Sequence, residues 1–448
     1  MGRLFGTDGV RGLANEKLDC ELAYKLGQAA AIVFTMAKHR PVILVGRDTR
    51  LSGDMLEAAL SAGICSVGGE VRVLGVIPTP AVAFLSRHYG ADAGVVISAS
   101  HNSMEYNGIK IFNSQGYKLP DELEERIENI VLDGTETIPA PTGNDVGRIV
   151  RVKKAVNHYE SFLKSTIDLS LEGFKVVVDC ANGAASKIAP ELLIDLGAEV
   201  TAIYNEPDGA NINRLCGSTY PENLQENVME SGADLGFAFD GDADRLIAVD
   251  EHGQLVDGDQ ILAICGLNMK KRGVLKKDTV VSTVMSNLGL EKALNKAGCK
   301  AVKSDVGDRY VLERMLEEGY SLGGEQSGHI IFLDHNTTGD GILTALQIMA
   351  VIKRENKTLS ELAKVMEKYP QVLVNARVSD ENKRDYVQDP EIQKEIKAIE
   401  NRFKGEGRVL IRPSGTEPLV RIMIEGKDQR EIEEYAVRLA EMIEERSK

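Results

Sequence analysis

Short apolar runs recur along this chain, each closed by a polar turn and followed by apolar residues at every third or fourth position. The opening stretch Phe5 to Gly12 reads as a glycine-, aspartate- and arginine-rich turn, and Leu22, Leu26, Ala29, Ala30 and Val33 predict a helix over 21–37. Pro41 to Val45 reads as a buried strand, and GRDTRLSG at 46–53 as a loop into a helix from about Asp54 to Gly68 and Gly69. Val71 to Leu74 is the next predicted strand. After one more helix, Gly94 to Ile97 runs into SASHN at 98–102, with Lys110 beyond. The unit returns at 175–179, where CANGAAS follows, then a helix to Leu196 and a strand reaching Val200. It returns again at 279–282, where VMSNLG follows, then a helix to Ala297 and a strand reaching Val302. Strand, glycine-bearing turn, helix and second strand make one βαβ unit, so the recurrence predicts related α/β domains rather than one large sheet. The spacing is too long and irregular for a solenoid.

The pattern changes near Pro370. Val372 to Val378 alternates, a lysine- and glutamate-rich helix follows, 408–412 and 420–424 read as short strands, and 428–446 as an amphipathic helix. The expected fold class is therefore α/β, with three related α/β domains of mixed sheets and a smaller C-terminal α+β domain. Their expected spans are 1–153, 154–255, 256–368 and 369–448. A helix over Leu359 to Tyr369, followed by Pro370, is the predicted hinge into the last domain.

Composition narrows the function classes. A chain of 448 residues exceeds what one core can organise. Its net charge of −15 argues against a general nucleic-acid binder, which needs a basic footprint, but leaves room for an anionic substrate in an arginine-lined cleft. No stretch approaches the roughly 18 unbroken apolar residues of a membrane helix, and no apolar leader is visible at the N-terminus. The six cysteines show no CxxC spacing, which suits reduced thiols. A cytoplasmic protein with no membrane partner is expected.

Four loops carry candidate chemistry. SASHN places two hydroxyls, an imidazole and an amide at the end of a buried strand, as a nucleophile loop does, although such residues also close ordinary turns. In FAFDGDADRLIAVD at 237–250, the acids Asp240, Asp242 and Asp244 alternate with small residues. On extended backbone their carboxylates would project to one side, and three hard oxygens suit Mg²⁺. An Asp/Gly hairpin turn with no metal is the alternative reading, whereas an EF-hand is excluded, because Arg245 stands where that loop needs glycine. GGEQSGH at 323–329 offers groups suited to sugar hydroxyls, and VGDRYV at 306–311 and GTDGVRG at 6–12 are glycine-anchored loops with an arginine. IRPSGTEPLVRIMIE at 411–425 gathers Arg412, Ser414, Thr416 and Arg421 around Gly415, a combination able to cradle phosphate without being a nucleotide P-loop. A serine loop, a metal loop, a polyol-reading loop and a phosphate cradle, one per expected domain, together describe phosphoryl transfer to and from a sugar phosphate.

SASHN at 98–102, DGDADR at 240–245, GEQSGH at 324–329 and RPSGTEP at 412–418 stand in the order of the four signatures of the α-D-phosphohexomutase superfamily, and the chain resembles that family along its whole length. FGTDGVRG at 5–12, VDGDQIL at 256–262 and VMSNLG at 284–289 resemble its bacterial glucosamine-phosphate branch. The resemblance implies four domains around a central cleft. It implies interconversion of glucosamine 6-phosphate and glucosamine 1-phosphate through a 1,6-bisphosphate, feeding amino-sugar nucleotide and cell-wall synthesis. The other hexose phosphates are the alternative substrates. It further implies that Ser100, not Ser98, is the phosphoserine and binds Mg²⁺ together with Asp240, Asp242 and Asp244. His101, Lys110, Arg11, Arg245 and His329 would assist transfer, Glu325 and Ser327 would hold sugar hydroxyls, and Arg412, Ser414, Gly415, Thr416 and Arg421 the unreacting phosphate. A homodimer, and a kinase or bisphosphate that first charges Ser100, belong to the same expectation. Two positions depart from the family: Ser103 replaces the usual proline, which predicts a looser loop, and Asp305 precedes VGDRYV, which puts its sugar contact in question.

Overall fold

The computed structural model describes residues 2–6, 8–35, 40–379, 381–414 and 417–446. Its apolar runs are strands covered on both faces. Every residue of Ala93–Ile97, Leu235–Phe239 and Thr279–Thr283 is buried, as central strands between helical layers require.

The first sheet holds β1 (Val10–Leu13), β2 (Val42–Arg47), β3 (Glu70–Val76), β4 (Ala93–Ile97), β5 (Tyr106–Asn113) and β6 (Arg148–Arg151). The second holds β7 (Lys175–Asp179), β8 (Glu199–Ile203), β9 (Leu235–Phe239), β10 (Leu246–Asp250) and β11 (Leu255–Val256). The third holds β12 (Thr279–Thr283), β13 (Lys300–Ser304), β14 (Leu322–Gly324) and β15 (Ile330–Phe332). One topology is repeated in all three: the orders β3-β2-β4-β5, β8-β7-β9-β10 and β13-β12-β14-β15 each join three parallel strands to a fourth that returns antiparallel. The fourth sheet is antiparallel, β16 (Gln371–Arg377), β18 (Leu419–Glu425) and β17 (Arg408–Pro413) in that order. The first three signature loops lie at the β4–β5, β9–β10 and β14–β15 hairpin turns, and the described residues of the fourth lie at the end of β17 and just before β18.

Several boundaries differ from the expectation for identifiable reasons. Val10–Leu13, inside and just beyond the expected opening turn, is a strand because it pairs antiparallel with β5. The first helix is Cys20–Phe34, started by the Asp19 side chain accepting from Leu22 N and ended at Thr35 by extended backbone; Ala37, its expected end, lies outside the described residues. The expected helix 359–369 is only Leu359–Ala363, opened by a capping box of Thr358 and Glu361. Further on, Tyr369 gives its carbonyl to Asn287 Nδ2 at 2.9 Å and its N–H to Asn287 Oδ1 at 3.0 Å, and it precedes a proline, which disfavours helix.

The chain divides into two compact units, Met1–Met285 with Cys299–Val365, and Ser286–Gly298 with Met366–Lys448. The first three sheets lie in the first unit. In it, the helices Cys20–Phe34 and Ser52–Ser66 meet backbone to backbone: a Cβ on Gly63 would stand 2.1 Å from Tyr24 O. The second unit has its own core, in which Ile392, Ile399 and Phe403 meet Ile422, Ile424, Ile432 and Leu439.

Candidate active site

Ser100 and Ala243 both have left-handed backbone, with φ of 52° and 57°, and these two tight turns bring their loops together within the first unit. Ser100 Oγ donates to Asp240 Oδ2 at 2.6 Å and lies 3.4 Å from His101 Nδ1. Asp240, Asp242 and Asp244 are buried, and one carboxylate oxygen from each falls within 4.8 Å of the others. The convergence was expected from alternation on extended backbone. Residues 240–245 instead form a turn, and the left-handed Ala243 turns the carboxylates inward.

Asp242 Oδ1 and Asp244 Oδ1 are buried without a hydrogen-bond partner among the described residues, so the triad has free, converging hard oxygens and fits a cation such as Mg²⁺. Lys110 is the resident counter-charge. Its Nζ lies 2.9 Å from Asp242 Oδ2, 3.5 Å from Asp244 Oδ2 and 3.5 Å from Asp8 Oδ2. Burial opposes the charge on Lys110, but these three acids raise it above the ordinary lysine value, so it stays an ammonium. Burial likewise lifts Asp242, yet Lys110 and the hydrogen bonds from Thr79 and Lys110 overcome it and hold Asp242 low. Asp240 is pushed well up by burial, Asp244 and Asp242, and Asp244 is pushed up by burial and Asp242. Lys110 and the nearby Arg245 guanidinium do not neutralise three buried carboxylates when Lys110 is also shared with Asp8, and a divalent ion would remove the conflict. Burial, with Arg245 and Arg11 adding repulsion, lowers His101 to about 4, leaving a neutral imidazole at pH 7.

The remaining expected residues of this unit extend from the triad. Arg245 Nε stands 3.9 Å from Asp244 Oδ1, and Arg11 is ion-paired to Asp8. His329 is buried, with Nε2 3.6 Å from Asp308 Oδ2. Glu325 accepts from Gly307 N at 3.2 Å, and Ser327 is exposed.

In the second unit, β17 and β18 set Arg412 directly opposite Arg421. Like charges facing each other across a ladder are unfavourable, and Arg412 Nε is also buried without a hydrogen-bond partner among the described residues, so the pair fits a bound anion. Arg421 reaches Glu417 Oε2 at 3.1 Å, and Ser414 Oγ accepts from Glu417 N at 3.2 Å. Gly415 and Thr416, expected in the same cradle, lie outside the described residues.

Models of the phosphoglucomutase/phosphomannomutase family match the chain in series: alpha/beta/alpha domain I over 2–137, domain II over 156–253, domain III over 257–369 and the C-terminal domain over 373–442. The chain belongs to the phosphoglucomutase/phosphomannomutase family. Among its relatives, the phosphoglucosamine mutase of Acetivibrio thermocellus is 63% identical over 447 residues and that of Clostridium novyi 60%, each comparison covering 100% of both chains. The fold is that of a phosphoglucomutase/phosphomannomutase family protein from Burkholderia thailandensis, with a TM-score of 0.81 at 24% identity, covering 99% of this chain and 97% of that one. An Aspergillus fumigatus N-acetylphosphoglucosamine mutase, solved with GlcNAc-6P and magnesium, gives a TM-score of 0.69 at 18% identity over 99% and 96% of the two chains.

In this phosphoglucomutase/phosphomannomutase family member, several residues at the site carried no separate expectation from the sequence. Asp8 joins Lys110 to Lys118, which it meets at 2.7 Å, and Lys118 meets Asp308 at 2.6 Å. Thr79 Oγ1 donates to Asp242 Oδ2 at 2.7 Å. Asp48, Arg50 and Asn213 lie beneath the serine loop. The one available signal was positional: GRDTR follows β2, and in such sheets the loops after parallel strands line the site. Ser98, not expected to be the phosphoserine, donates to Asp48 Oδ2 at 2.6 Å and accepts from Ser100 N at 2.9 Å. The expected looseness at Ser103 meets an opposing contact, since the Ser103 carbonyl accepts from Arg50.

Proposed function

We propose that this chain interconverts glucosamine 6-phosphate and glucosamine 1-phosphate, carrying a phosphoryl group on Ser100 and passing through the 1,6-bisphosphate. The observation that most supports this is Ser100 Oγ lying 2.6 Å from Asp240 on the rim of the acidic triad. The 63% identity to a phosphoglucosamine mutase supports the amino-sugar substrate.

In the first half-reaction the free sugar hydroxyl attacks the phosphoserine. The Ser100 Oγ–P bond breaks as the sugar O–P bond forms, the hydroxyl proton passes to a base, and Ser100 Oγ takes up a proton. The second half-reaction is the reverse on the other phosphate. His101, neutral and 3.4 Å from Ser100 Oγ, is suited to exchange that proton. Lys110 and Arg245 hold fixed positive charge where negative charge gathers, and Arg11 adds a third. Mg²⁺ held by Asp240, Asp242, Asp244 and the Ser100 phosphate supplies further charge neutralisation when bound. Glu325 and Ser327 take sugar hydroxyls, with His329 beside them, while Arg412, Ser414, Gly415, Thr416 and Arg421 hold the unreacting phosphate. A kinase or a hexose 1,6-bisphosphate charges Ser100, and the enzyme works as a cytoplasmic homodimer feeding amino-sugar nucleotide synthesis.

Phosphopeptide mapping and assays on glucosamine, glucose and mannose phosphates test the reading. Wild type should carry phosphate on Ser100 and prefer the glucosamine ester. Ser100→Ala should lose turnover while keeping its thermal melt. Full activity in Ser100→Ala would sink the nucleophile assignment, and faster turnover of glucose or mannose phosphate would sink the substrate.

A further inference from the structure

Arg50 is the one fully buried arginine among the described residues. A guanidinium has five N–H donors in a rigid fork, and burial is tolerable only if they are used. Arg50 uses all five. Nε donates to Asp48 Oδ2 at 2.8 Å, Nη2 to Ser100 O at 2.9 Å and Asn102 O at 2.8 Å, and Nη1 to Tyr106 O at 3.1 Å and to Ser103 O. Four of these partners are backbone carbonyls of the serine loop. Asn213 Nδ2 reaches two of the same carbonyls, Ser100 O at 2.8 Å and Asn102 O at 2.9 Å, from a segment beside the second sheet.

These contacts bear on the reacting residue itself. Ser100 has a φ of 52°, a conformation a serine keeps only where its surroundings over-determine it. Its carbonyl is held by Arg50 and Asn213, and its N–H by Ser98, which Asp48 orients. Closing a hairpin does not require such a device. The turn 325–329 closes β14 and β15 with backbone bonds from Gly328 N to Glu325 O and from Glu325 N to His329 O, and the outside donors to its carbonyls, Gly258 N and Leu246 N, are backbone groups and not a buried guanidinium.

We propose that Arg50 and Asn213 are positioning residues for phosphoryl transfer, fixing the left-handed backbone of Ser100 so that Oγ stays aimed at the acidic triad through turnover. The proposal rests on the Ser100 reading above. Arg50 acts from the loop after β2 and Asn213 from a segment beside the second sheet, so the carbonyls of Ser100 and Asn102 are held from two directions.

The test uses the full chain, with turnover normalised to the phosphate that intact mass finds on Ser100. Arg50→Lys keeps the charge beside Asp48 but loses the fork, and Asn213→Ala removes two bonds without stranding a buried charge. Misplacing a reacting group by about an ångström costs about 100-fold, so kcat per phosphorylated enzyme should fall roughly 10- to 100-fold in each. KM should hold within about twofold, because the loss arises after binding. A purely structural role would reduce the folded fraction and leave kcat per phosphorylated enzyme unchanged; that result in both variants overturns the proposal. Wild type without Ser100 phosphate or mutase turnover would instead overturn the functional reading, and this proposal with it.

Discussion

Lys110 shows most plainly how one side chain sustains the site. It is 2% exposed and stands among Asp8, Asp242 and Asp244, which without it would face one another across a buried space. Breaking a buried ion pair by removing one partner costs about 3–5 kcal/mol, because the remaining charge is uncompensated. Lys110→Met should therefore lose about that much stability in EDTA and regain part of it with Mg²⁺, measured by urea unfolding. A metal-insensitive midpoint in the variant would contradict the triad's role as a cation site. At this scale the sequence was informative about residue types and weak on partnerships. The three acids stood out by pattern, and Ser100 and Lys110 through the resemblance to the family. Asp8 pairs with Lys118 over a separation of 110 residues, and Arg50 with Ser100 over 50, contacts that depend on how the sheets assemble.

Among elements, strands buried on both faces were the most legible, because apolar runs bounded by glycine turns leave few alternatives. Turn geometry was less so. DGDADR alternates like a strand, yet it turns at a left-handed Ala243, and its Asp-Gly pair is the local signal for that choice. Some helix starts carry a side-chain cap. Asp340 is such a cap for Gly341–Glu355, accepting from Leu343 N at 2.9 Å, and its carboxylate also receives Tyr159 Oη and Asn336 Nδ2. Burial raises its pKa to about 6 even against those hydrogen bonds. A carboxyl raised in the folded state binds more protons than the unfolded chain from about pH 4 upward, so its contribution to stability falls as pH climbs to about 6 and is flat above. Asp340→Asn keeps a capping oxygen but has no such titration. The stability of wild type relative to Asp340→Asn should decline between those pH values in urea melts. A constant difference would mean that the folded and unfolded chains bind the Asp340 proton alike, with no upward shift.

For the whole molecule, one topology is repeated in three sheets, so the first three signatures each sit in the hairpin turn that ends an equivalent strand set, while the described residues of the fourth flank the β17–β18 connection of an antiparallel sheet. A chain of net charge −15 that takes an anionic substrate must concentrate positive charge locally, and Arg412 opposite Arg421 is such a place. Burial and Arg421 both depress the Arg412 pKa, so the pair is kept at a cost to the ligand-free protein. Arg412→Leu should then act with opposite signs on two observables. Removing a like-charge pair should leave the substrate-free melt unchanged or raise stability by about 0.2–1 kcal/mol. Losing a charge-assisted hydrogen bond to phosphate, worth about 1.5–3 kcal/mol, should raise KM for glucosamine 6-phosphate roughly 10- to 100-fold. A lower melt with unchanged KM would make Arg412 a structural residue of β17 and remove the phosphate cradle from the mechanism.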